Sequence, residues 1–163
     1  YFGSGDTHLY AVDIQTGRER WKFMTGGPAL SSPAISEGVV FLSSRDAQLY
    51  AVDITTGQER WKFETRRPVD SSPAIAEGVV FFASMDGILY AVDMGTGVER
   101  WMFDIGFEIL ANSPAIARGV LYFASRAPGV LFAVNLDTGE ERWRFHTANE
   151  VLSSPAVADG VVF

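Results

Sequence analysis

Leu49-Tyr50-Ala51-Val52-Asp53-Ile54-Thr55-Thr56-Gly57-Gln58-Glu59-Arg60-Trp61-Lys62-Phe63 decides the fold, because the chain spells this stretch four times. Residues 9–23 repeat it with changes only at Gln15 and Arg18. Residues 89–103 keep Leu-Tyr-Ala-Val-Asp and Glu-Arg-Trp, and residues 131–145 carry a degenerate copy, Leu131-Phe132-Ala133-Val134-Asn135 followed by Glu141-Arg142-Trp143. The tryptophans at 21, 61, 101 and 143 are therefore 40, 40 and 42 residues apart. Working outward, Ser-Pro-Ala recurs at Ser32, Ser72, Ser113 and Ser154, always ahead of a turn and a short apolar run. A period of about 40 residues is the mark of a repeat architecture in which each unit is one supersecondary element.

Each unit reads as four short strands separated by turn residues. In the best-defined unit, strand A is 71–75, Glu77-Gly78 turns the chain, and strand B is 79–83. Asp86-Gly87 makes the next turn into strand C at 88–93, and Thr96-Gly97 leads to strand D at 99–103. Glycine suits these turns because it accepts positive φ without a Cβ clash. Asp13 and Asp53 precede the Thr-Gly loops, where a short carboxylate can bond nearby backbone N–H groups. Strand B is apolar at both parities (Val79, Val80, Phe81, Phe82), the pattern of a strand covered on both faces. Strand D alternates Trp61 and Phe63 with Arg60 and Lys62, as an outer edge that must resist pairing with other chains. Sheets covered on both faces, exposed along one edge and repeated in series suit blades around an axis.

The predicted fold is thus all-β: a propeller of four-stranded antiparallel blades with four blade-equivalents per chain, either a closed four-blade ring or half of an eight-bladed one. The expected repeats run over 31–70, 71–111 and 112–152, with a composite of 153–163 and 1–30 as the fourth, all in one propeller domain or propeller fragment. Tyr1 and Phe163 align to the same repeat position. A chain that starts at Tyr1 within a strand is expected to be a processed product, an excerpt or a half-ring.

Bulk properties narrow the function classes. Of the 163 residues 47% are hydrophobic, which argues against disorder. Gly, Pro and charged residues interrupt every apolar run before it nears the ~20 residues of a membrane helix, so no membrane insertion is expected. The net charge of −7 disfavours nucleic acid. Without cysteine there is no thiolate chemistry. His8 and His146 are too few and too scattered for a metal site.

Strands of alternating direction put the A–B and C–D turns at one end of the blades and the B–C and D–A connections at the other. The A–B turns are nearly constant (Glu37-Gly38, Glu77-Gly78, Arg118-Gly119, Asp159-Gly160), whereas the D–A connections differ in every copy. Variable loops on a constant scaffold are the place to look for binding. The candidate partner-binding face comprises Arg66, Arg67, Asp70, Phe107, Glu108, Asn112, His146, Asn149 and Glu150, with the Arg66-Arg67 pair suited to an acidic partner. Asp6, Asp46 and Asp86 recur at one repeat position, which points to a turn role. No nucleophile–base set, phosphate loop or zinc signature is present.

Leu49 to Asp53, Thr56-Gly57, Glu59-Arg60-Trp61, Ser72-Pro73-Ala74 and Gly78-Val79-Val80-Phe81 together resemble the pyrroloquinoline-quinone-type (PQQ-like) propeller repeat. The absence of Gly-His and Trp-Asp dipeptides sets aside the WD40 alternative. The resemblance implies a docking role for Ala11 with Trp21, Ala51 with Trp61, Ala91 with Trp101 and Ala133 with Trp143, each indole lying against a neighbouring blade. It implies a non-enzymatic ligand- or protein-binding scaffold, as in periplasmic assembly scaffolds or kinase-attached sensor domains, and hence an extracytoplasmic location. Partners would meet the loop face, and a homodimer completing an eight-bladed ring belongs to the same reading. The enzymatic alternative is a quinoprotein dehydrogenase using PQQ with calcium; no Glu/Asn/Asp set matches that family residue by residue, and Asp70, Glu108 and Asn112 are candidate oxygen donors. A truncated or engineered propeller without a ligand is the third alternative. No cofactor is expected.

Overall fold

Strand B carries the apolar residues at both parities, and the sheets form around it. The computed structural model describes residues 1–106 and 112–163. In chain order the first sheet contains β1 (Phe2–Gly3), β2 (His8–Val12) and β3 (Glu19–Met24). Three complete blades follow. The first is β4 (Ala34–Ser36), β5 (Val39–Ser44), β6 (Gln48–Asp53) and β7 (Glu59–Glu64). The second is β8 (Ala74–Ala76), β9 (Val79–Ala83), β10 (Ile88–Asp93) and β11 (Glu99–Asp104). The third is β12 (Ala115–Ala117), β13 (Val120–Ser125), β14 (Val130–Asn135) and β15 (Glu141–His146). A two-stranded sheet, β16 (Val157–Ala158) with β17 (Val161–Val162), ends the chain. Every blade is an antiparallel meander, and no helix among the described residues is long and apolar enough to cross a membrane.

The innermost strands touch in series, β4 with β8, β8 with β12, and β12 with β16. A serine ladder links them: the Ser32, Ser72 and Ser113 amides donate to the hydroxyls of Ser72, Ser113 and Ser154 at 2.9–3.1 Å. The arc does not close on itself. β16–β17 and β1–β3 are separate sheets, so the two parts of the composite repeat stay apart within one chain. Of the two predicted rings, the closed four-blade form is not what this chain adopts.

Local chemistry explains the details. The A–B turns hold both central residues at positive φ, Glu77 at 51° with Gly78 at 73°, a mirror-image turn whose twist matches the strands it joins. Strand A is shorter than the sequence suggests. Ser71 lies before Pro73 and pairs through its side chain, Oγ donating to Ala83 O and accepting from Ala83 N at 2.8 Å. Each C–D pair carries a bulge: Ala51 faces Trp61 but Val52 faces Glu59, leaving Arg60 as the extra residue. The bulge aims Arg60 at Asp53 (2.7 Å), whose other oxygen accepts from Thr55 N and Thr56 N. Asp93 pairs identically with Arg100.

Candidate functional site

The loop end of the blades is built by carboxylates that serve two blades at once. Asp46 accepts from Gln48 N at 3.2 Å, turning its own B–C loop, and from Tyr50 Oη at 2.6 Å. It also takes the Gly26 amide of the preceding D–A connection, at 2.6 Å. Asp86 repeats the pattern with Ile88 N, Tyr90 Oη and the Arg66 amide. Burial, and then the hydrogen bond to Asp46, push the Tyr50 phenol up to about 12. Tyr90 is raised by the same two causes. Both phenols are thus fixed donors over the whole physiological range. Within a blade, Thr65 donates through Oγ1 to Ala47 O and Arg67 O, tying the D–A loop to the B–C loop. These bonds tie the described loops of the first two blades together, with side chains projecting from them.

The structure separates the sequence candidates into three groups. Arg66, Arg67, His146, Asn149 and Glu150 are exposed. Arg67 Nη1 reaches Met85 O at 3.3 Å, and Glu150 pairs with Arg126 at 3.2 Å. Asp70 is engaged at both oxygens by Arg45, at 2.9 Å each. Asn112 is a correction. It is 2% exposed and its amide donates to Ala124 O and Val151 O, occupying the place of Ser31 and Ser71 in their blades. It is interior scaffolding, and its departure from the repeat reflects packing. Phe107 and Glu108 lie outside the described residues. Tyr50 and Tyr90, which the sequence reading passed over, are the groups that brace the face.

The PQQ-and-calcium alternative can be tested on its donors. Calcium requires several free, converging oxygens. Asp70 is already held by a bidentate guanidinium, and Asn112, which is buried, spends its amide nitrogen on two carbonyls of its own blade and loop. Asp70 therefore offers an ion no free carboxylate.

The indoles lie on the flanks of the blades. Trp21 Nε1 donates to Ile54 O, Trp61 to Met94 O and Trp101 to Leu136 O, all at 3.1–3.2 Å and all into the next blade. Each ring covers the glycine of that blade's C–D turn. A methyl added to Gly57, Gly97 or Gly139 would lie 2.7–2.8 Å from the ring. Ala11, Ala51, Ala91 and Ala133 face the four tryptophans across the sheet and are buried. Trp143 is the exception, 43% exposed.

A family profile described as "Outer membrane protein assembly factor BamB" matches residues 1–108 and 87–163. The chain belongs to this PQQ-like propeller family. No curated protein matches it in sequence. Among solved structures, this PQQ-like chain is similar to the computationally designed Ika8 protein, with a TM-score of 0.84 and 19% identity over 98% of the chain and 50% of Ika8. It is similar to BamB from Moraxella catarrhalis, with a TM-score of 0.68 and 23% identity over 88% of the chain and 56% of BamB. A third is a europium-containing methanol dehydrogenase, with a TM-score of 0.73 and 20% identity over 85% of the chain but 29% of that enzyme. The chain thus spans about half the length of the first and second of these and under a third of the dehydrogenase. At these identities the likeness is one of fold.

Proposed function

We propose that this PQQ-like arc is a non-enzymatic scaffold, extracytoplasmic, that binds a protein partner through its B–C and D–A loop face. One observation carries the reading: copies that are nearly identical along strands B to D and at their constant turns differ at the opposite end. There Arg66, Arg67, Asn149 and Glu150 project from loops fixed by backbone bonds. A preorganised loop end on a rigid sheet loses little freedom when it binds, which favours recognition. The family profile, described for an outer-membrane assembly factor, supports a protein partner at an outer membrane. Assembly belongs to the same proposal, with two arcs making one eight-bladed ring that presents the loop face twice.

The test is binding of the purified chain to isolated outer-membrane assembly complexes. It is compared with a triple variant, Arg66→Ala, Arg67→Ala and Glu150→Ala, whose thermal unfolding matches that of the parent. Saturable binding weakened by about tenfold or more in the variant is the expected result. Equal binding by both, or dye-linked alcohol oxidation after adding PQQ and calcium, overturns the reading.

A further inference from the structure

The two flanks of the arc are unmatched in complementary ways. At the C-terminal flank Trp143 has no hydrogen bond from Nε1 among the described residues, and Phe145 beside it is exposed. Together with Leu131, Val151, Pro155 and Phe163 they line an apolar groove of about 720 Å³. At the N-terminal flank the receiving surface stands empty. A methyl on Gly17 would meet nothing within 4 Å, unlike one at its three counterparts. Ile14 is 99% exposed where Met94 and Leu136 are buried, and Val12 is exposed where Val52, Val92 and Val134 are fully covered.

We propose that a second copy of this chain fills the groove. Trp143 of one copy then packs on Gly17 and donates to Ile14 O of the other, as Trp21, Trp61 and Trp101 do within the chain. This deepens the two-arc assembly proposed above and rests on it. The complete blades and their joints dictate the rest of the contact, and their remaining bonds have counterparts at the two flanks. Within each complete blade the C–D turn is tied to the A–B turn, Ile54 N, Met94 N and Leu136 N donating to Gly38 O, Gly78 O and Gly119 O. The corresponding Ile14 N and Gly160 O are both unused among the described residues, and they meet across the joint. The serine ladder ends with the Ser154 amide at one flank and the Ser32 hydroxyl at the other. In the joint the amide donates to the hydroxyl. β17 then lies beside Val12 and Asp13 of the second copy, in the register that Val39 and Val40 hold with Asp53 and Val52. The composite blade is so completed from two chains, strands A and B from one and B, C and D from the other.

The number of copies rests on matched length. The contact is head-to-tail, so it makes a ring only if the rotation closes. The chain aligns over nearly its whole length with half of the Ika8 chain, so two arcs together match one Ika8 chain in length. Tyr1 already packs on Trp21, with centroids 5.5 Å apart, as Phe41 packs on Trp61 at 5.7 Å. Phe163 holds the same repeat position and is the ring that yields at the joint.

Two substitutions on surfaces exposed in the single chain test the joint: Trp143→Ala at one flank and Ile14→Asp at the other. Sedimentation of the parent chain is expected to give twice the 17.8 kDa of one chain, with tryptophan emission shifting to the red on dilution. Each variant alone should associate at least about tenfold more weakly. Mixing the two variants should recover association, because one of the two joints is then intact while both defects fall on the other, where they overlap. A monomeric parent, a dimer indifferent to both substitutions, or a mixture no tighter than either variant overturns the proposal. Loop-face binding that survives in the monomeric variants separates failure of the joint from failure of the scaffold reading.

Discussion

Trp61 and Trp143 sit in the same Glu-Arg-Trp sequence, face the same alanine across the same bulge, and end in different surroundings. Trp61 rests on Gly97 and bonds Met94 O, while Trp143 looks out over an open groove. The comparison teaches that the repeat specifies a blade with two sticky flanks, and that the next blade decides whether a flank is buried. A blade of this kind cannot cover its own apolar surface, so stability accrues joint by joint along the arc.

The largest break in the comparison comes from removing the indoles. In the Ile14→Asp background, which keeps the chain single, Trp61→Ala should cost about 4 kcal/mol in urea unfolding. Trp143→Ala in that background should stay within about 0.5 kcal/mol. Comparable losses at the two positions would mean that the flanks do not differ.

The glycines beneath the indoles give a smaller contrast. Gly97→Ala meets both a left-handed backbone at φ 73° and the Trp61 ring, and should cost about 3 kcal/mol. Gly17→Ala at φ 67° meets only the backbone strain, about 1 kcal/mol in a single chain. In the assembled form Gly17→Ala should also weaken association, since its methyl would take the place of Trp143.

Acid sensitivity sharpens the comparison least but has a definite sign. The Arg100 guanidinium, and then Thr96, hold the Asp93 carboxyl down at about 2. Asp53 is lowered by Arg60 in the same way. A carboxyl depressed in the folded state stabilises it above the unfolded value near 3.9. That contribution fades as pH falls from there toward about 2. The degenerate third blade has Asn135 at this position, and Arg142 bonds Gly119 O instead. Asp93→Asn should therefore flatten the loss of stability in that window, and Asn135→Asp should steepen it. Urea midpoints across the acid range read both.

Most of the fold was legible because the repeat confers redundancy. Strands B, C and D and the glycine turns fall where periodicity and turn chemistry put them, with strand D one residue longer. Strand A was over-read because Ser71 pairs through its side chain, which no hydrophobic pattern signals. The aspartates were legible as turn formers. Their bonds to the preceding blade were not, because the partner amides of Gly26 and Arg66 lie twenty residues away at positions that vary. Asn112 misled for a physical reason: a departure from the repeat looks like recognition when it can equally be a second way to satisfy buried carbonyls. Trp143 carried no signal at all, since its sequence matches that of its buried counterparts.

Hydrogen exchange of the four indole N–H groups tests the central claim most directly. In the Ile14→Asp chain, Trp21, Trp61 and Trp101 should exchange slowly and Trp143 fast. In the parent chain at assembling concentrations all four should be slow. Four indoles that exchange alike in the single chain, or a Trp143 that stays fast in the parent, would contradict the account.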